Sequence, residues 1–113
     1  MGLSELHLGN ASRAANIFRR IVKNHKNYYS AIYLLGATYL CLANFKDGEK
    51  TLQCLHGKTI WKDIHHAFQN LIESLISAGC LDLARNLIEG TELLNCCSEN
   101  IIALRRRIEM EAA

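Results

Sequence analysis

Gly9-Asn10-Ala11, with Ala14, Phe18 and Ile21 behind it, returns 34 residues later as Ala43-Asn44-Phe45 with Gly48, Leu52 and Leu55. A third version, Gly79-Cys80-Leu81 with Ala84 and Ile88, follows 36 residues after the second. A phrase that recurs at this period, keeping a turn, a small residue and a large apolar residue in order, marks a repeat architecture. In such a chain each unit buries its apolar face by stacking on its neighbours. Around the phrases the apolar period is helical. Ala14, Ile17, Phe18, Ile21 and Val22 form one stripe, and Ile32, Leu35, Tyr39 and Leu42 a second that Leu34 and Leu40 widen. Phe45, Gly48, Leu52 and Leu55 form a third, Phe68, Leu71, Ile72, Leu75 and Ile76 a fourth, and Leu81, Ala84, Leu87, Ile88 and Leu94 a fifth. Asn24 to Asn27 close the first helix, and His56-Gly57-Lys58 and Ala78-Gly79 stop two others, since glycine accepts the left-handed conformation of a helix end. Ser98 is placed to cap a last helix with Ile101, Leu104 and Ile108 on its inner face. Every connection is short, so consecutive helices are expected to pack antiparallel.

Composition agrees with an all-α chain. Half of the 113 residues are apolar, a fifth are charged and none is proline. A chain of this length buries roughly two thirds of its unfolded surface, enough for one domain. The longest apolar stretch, Ala31 to Ala43, is too short to span a bilayer, and the first residues lack the apolar block of a signal peptide. The five cysteines, Cys41, Cys54, Cys80, Cys96 and Cys97, show no CxxC spacing. They read as reduced thiols, three of them on helical patterns where a small hydrophobe serves, and this points to a cytoplasmic setting without membrane attachment. Net charge is only +2, but residues 1–31 carry +4, from Arg13, Arg19, Arg20, Lys23 and Lys26 against Glu5.

Ile32-Tyr33-Leu34-Leu35-Gly36-Ala37-Thr38-Tyr39, followed by Ala43-Asn44-Phe45, Gly48, Leu52 and Leu55, resembles the tetratricopeptide repeat. Leu35-Gly36 and Tyr39 match the first helix of that family's hairpin, and the phrase after the turn matches its second. Gly9-Asn10, Ala14 and Phe18 match the second half of a preceding unit whose first helix is cut to the stub Leu3 to Leu8. Gly79, Ala84 and Ile88 match a third unit, with Phe68, Leu71 and Leu75 on its first helix. The resemblance implies one domain over 1–113: a truncated repeat at 1–27, repeats at 28–60 and 61–96, and a capping helix at 98–112, stacked as a short superhelix. The proline that usually ends a repeat is missing, with Lys26 and Ile60 in its place, and Trp61 is expected as a lid over the second repeat or a ligand contact.

The family resemblance also implies a function, capture of a peptide or amphipathic helix on the concave surface lined by first helices. By position, Tyr33, Leu34, Ala37 and Leu40, flanked by Ser30 and Cys41, line it in the second repeat. His66, Gln69, Asn70 and Glu73, with Ile76 and Ser77, line it in the third. The first set is apolar and the second polar, so a protein partner with an apolar face is expected; alternatively Leu34, Leu40 and Ile76 pack under neighbouring helices. A free carboxylate wants charge-assisted donors, and Asn70 with His66 supplies too few to grip a peptide C-terminus. An adaptor, a scaffold or a small chaperone fits. Compact tetratricopeptide chaperones of type III secretion systems are similar in size and apolar groove, and a piece of a longer repeat array fits equally. The incomplete first hairpin offers an edge for self-association.

A second class stays open. The segment Leu71 to Ala84 also resembles the pentatricopeptide pattern, whose repeats read RNA, with Arg13, Arg19, Arg20, Lys23 and Lys26 then forming a phosphate track. The 34-residue period and the Leu-Gly and Tyr positions favour the protein-binding family. His65-His66 and Cys54-x-His56 lack the four-residue spacing that metals exploit on helices, and His7 and His25 fall at helix ends, so no metal or other cofactor is expected. No Gly-rich phosphate loop, nucleophile elbow or paired-carboxylate motif occurs, which argues against an enzyme.

Overall fold

In the computed structural model of the protein the three recurring phrases adopt one backbone conformation. Gly9, Ala43 and Gly79 sit at φ +84°, +62° and +82°. The residue after each lies near φ −90° and ψ +60°, at −92°/60° for Asn10, −90°/67° for Asn44 and −86°/62° for Cys80. The amides of Ala43 and Asn44 donate to the carbonyls of Leu40 and Tyr39, and those of Gly79 and Cys80 to Ile76 and Leu75. These paired bonds, spanning three and five residues, satisfy the last carbonyls of a helix. Gly9 repeats the shorter bond, donating to Leu6. The carbonyls of Asn10, Asn44 and Cys80 then accept from Ala14, Gly48 and Ala84, each at 3.0 Å, and start the next helix. The same two residues thus end one helix and open another in every unit.

The structure describes residues 6, 8–25, 28–55, 57, 61, 63–94 and 99–112. Among them are six helices, α1 (Ala11–Asn24), α2 (Tyr29–Cys41), α3 (Phe45–Gln53), α4 (Ile64–Ser77), α5 (Leu81–Leu93) and α6 (Glu99–Ala112), and no strand. The all-α reading holds. Helix α3 ends two residues before Leu55, whose side chain is nevertheless buried, and Gly57 has the left-handed φ of +81° expected of the stop. Of the stub Leu3 to Leu8, Leu6 is helical and fully buried and Leu8 is exposed, while the rest lies outside the described residues. His7, Lys26, Asn27, His56, Lys58, Ile60, Cys96, Cys97 and Ser98 lie outside them as well.

Small residues decide how the helices meet. A Cβ on Gly36 would stand 2.5 Å from Leu52 Cγ, and one on Gly48 would stand 2.7 Å from Leu40 Cδ2. As the α2 partner rises by four in number the α3 partner falls by four, so this hairpin is antiparallel, and its axes approach as closely as two glycines permit. Helix α2 packs extensively against α1, α3 and α5; α5 in turn packs against α4, and α6 rests on both α4 and α5. Thus the extensive neighbour of α2 in the second half is α5, the second helix of its hairpin, where first-helix stacking would have placed α4. Helix α4 still reaches α2 through Phe68, whose ring lies 5.3 Å from that of Tyr33 at 60°. A radius of gyration of 13.0 Å matches a compact chain, for which about 13 Å is expected at this length.

Candidate interaction surfaces

The expected concave face is closed over most of α2. Ala37 and Leu40 are fully buried and Tyr33 is 7% exposed, so these three belong to the core; the groove reading is corrected for them, and the alternative, packing under a neighbouring helix, holds for Leu40. The physical reason is the position of α5. A Cβ on its Gly90 would lie 2.8 Å from Leu40 Cδ2 and 2.9 Å from Leu40 Cβ, so Leu40 fills a socket between Gly48 of α3 and Gly90 of α5. Beside it, Asn86 of α5 donates to the Cys41 carbonyl at 2.9 Å and satisfies one of the orphan acceptors at the end of α2. Leu34 is half-buried against the core, whereas Ile76 and Cys41 are buried.

The polar half of the expected lining stays at the surface. His66 and Asn70 are exposed on α4, Gln69 and Glu73 are half-buried there, and Ser30 and Ser77 are exposed. The eight expected residues therefore do not form one site. His66 and Asn70 face solvent from α4, three are core, and Gln69, Glu73 and Leu34 lie between. Trp61 packs against the core cluster, as a lid would.

Burial sets the chemistry of α2. The Tyr33 hydroxyl is buried without a hydrogen-bond partner, and desolvation raises it above the ordinary phenol range, with Cys41 adding. Burial likewise pushes the Cys41 thiol up to about 12, and Cys80 adds to the rise. A thiol so protonated is a packing group rather than a nucleophile. Cys80 is half-buried with its thiol 3.8 Å from the Leu6 carbonyl, while Cys54 is exposed. Among the described residues no group of three His, Cys, Asp or Glu is placed to hold a metal ion.

The open surfaces lie elsewhere. Where the recurring turns gather, one cleft of about 480 Å³ is lined by residues 9–13, Asn16, Leu42 and Leu83, and a second of about 570 Å³ by Leu8, Gly9 and residues 78–83. They share Gly9 and Leu83. A smaller cleft between α5 and α6 is flanked by Arg85, Glu89, Arg105 and Glu109, and Arg105 there meets Glu92 at 2.6 Å. Along α1, Arg13, Arg19, Arg20 and Lys23 are all exposed. Arg19 is held, donating from Nε and Nη2 to the Tyr39 hydroxyl at 3.2 and 3.0 Å and from Nη1 to Asn16 at 3.2 Å. The sequence had signalled this end of the molecule only through the turns themselves: Leu8 carries no pattern of its own, and Leu42, counted in the apolar stripe of α2, falls just past the end of that helix and is exposed.

No family model matches the chain, and no curated protein or solved structure matches it. No helix among the described residues is long and apolar enough to cross a membrane.

Proposed function

We propose that the chain is a protein-interaction module built on a tetratricopeptide-like helical repeat, acting in the cytoplasm as an adaptor, scaffold or small chaperone. The observation that carries this reading is the threefold recurrence of one turn. It sets Ala14, Gly48 and Ala84 at buried positions and Phe18, Leu52 and Ile88 one turn further on, all three nearly inaccessible. A repeat of this kind spends its recurring residues on stacking and leaves the residues between them to make a surface for a partner. Of the lining expected from the sequence, His66, Gln69, Asn70 and Glu73 on α4 and Leu34 on α2 keep accessible surface. The test is purification of the tagged full chain from its own host in moderate salt after nuclease treatment, with mass spectrometry of what remains bound. A stoichiometric protein partner is the expected result. Retained RNA with no protein partner would favour the pentatricopeptide-like reading instead, and recovery of neither would overturn the proposal.

A further inference from the structure

We infer that the partner docks at the turn end of the molecule, over the two joined clefts and the start of α1, and that it is an acidic amphipathic helix. This rests on the protein-interaction reading and names the surface and the chemistry of its partner.

Three observations converge there. Leu8 is 74% exposed and Leu42 37%, and each borders one of the clefts, while half-buried Leu83 lines both. A lone exposed leucine needs no explanation, but leucines around two connected concavities form a place for an apolar side chain. Arg13 lies at the edge of the first cleft, exposed and without an ion pair among the described residues. Arg20 and Lys23 continue its face, about 10 and 15 Å further along α1. Finally, the sequence has no acidic residue between Glu5 and Asp47. Among the described residues one acid, Asp82, lines the second cleft; it is exposed and has Arg85 at 3.8 Å to offset its charge.

Carboxylates seven residues apart on a helix repeat at about the Arg13 to Arg20 distance, and a guanidinium pairs a carboxylate with two parallel hydrogen bonds. Leucines on the same helix, three or four positions away, would then enter the clefts. The aliphatic lining is what separates this partner from a nucleic acid, whose bases stack on aromatic side chains, and among the described residues no aromatic one lines either cleft.

The test is fluorescence anisotropy on the full chain with three labelled probes of about 20 units. One is a helical peptide of Leu and Glu at these spacings, the second has every Leu replaced by Ser, and the third is oligouridine. The Leu/Glu peptide is expected to bind about tenfold more tightly than the Ser/Glu peptide, the worth of one buried leucine. Arg13→Glu and Leu42→Ser should each weaken it several-fold, and Arg106→Glu on α6 should not. If circular dichroism shows that either variant has lost helix, Leu8→Ser replaces it. Equal binding of the two peptides, tighter binding of oligouridine, unchanged binding by the variants or no binding of the Leu/Glu peptide would overturn the inference. A host partner still captured by both variants would overturn this surface while leaving the module reading intact; capture by wild type alone supports both.

Discussion

At Leu40 the two halves of the chain touch, since its side chain sits between Gly48 and Gly90 with no exposed surface. Truncation to alanine leaves a cavity that neither glycine can fill, so Leu40→Ala is expected to cost about 3–5 kcal/mol in urea unfolding. Three residues on, Ala43 occupies the left-handed position that glycine takes in the other two turns, at φ +62°. An L-residue there is strained by about 1 kcal/mol, so Ala43→Gly should raise the melting temperature by several degrees, and a fall would mean that the turn is not formed. Tyr33 buries a hydroxyl that makes no hydrogen bond. Removing it keeps the ring against Phe68, so Tyr33→Phe is expected to stabilise the fold by about 1 kcal/mol, read from the same denaturant midpoint.

Helix α2 shows how far element-level reading of the sequence reaches. Its helical character, its stop at the Ala43-Asn44 turn and its hairpin with α3 were legible from Leu35-Gly36, Tyr39 and the repeated turn, because all are local in sequence. Its role was misread because the partner of its remaining face is fixed by a contact fifty residues away, at Gly90. A signal was present: of Ser30, Tyr33, Leu34, Ala37, Leu40 and Cys41, assigned to an open groove, only the serine is firmly polar, and a helix apolar all round is a buried one. Gly90 was the second signal, since a glycine inside a helix costs about 1 kcal/mol against alanine unless another backbone must come close. Gly90→Ala should therefore destabilise the protein by about 1–3 kcal/mol despite its better helix propensity, because Leu40 Cβ cannot rotate away. In a double-mutant cycle the loss should shrink in part in the Leu40→Ala background, which removes the δ-carbons but keeps Cβ, and additive values would show that the two positions do not touch.

At the scale of the whole molecule, folding is tied to keeping two buried acids neutral. Cys41 is held protonated up to about 12 and Tyr33 above its ordinary range, both chiefly by burial. In the unfolded chain these groups ionise near pH 8.5 and 10, roughly. Their contribution is thus fully present below about pH 8 and falls as pH climbs toward the folded values, by about 1.4 kcal/mol per unit for each group once linked. Unfolding midpoints measured between neutral pH and about pH 10.5 should fall, with Cys41→Ala removing the earlier part of the decline and Tyr33→Phe the later. Nuclear Overhauser spectroscopy of the full chain tests the arrangement most directly. The Leu40 δ-methyls lie beside the α-carbons of both Gly48 and Gly90, so strong cross-peaks to the α-protons of each are expected. Leu40 methyls that instead show cross-peaks to Ile72 or Leu75 of α4, and none to Gly90, would contradict it and restore an arrangement in which first helices stack on one another.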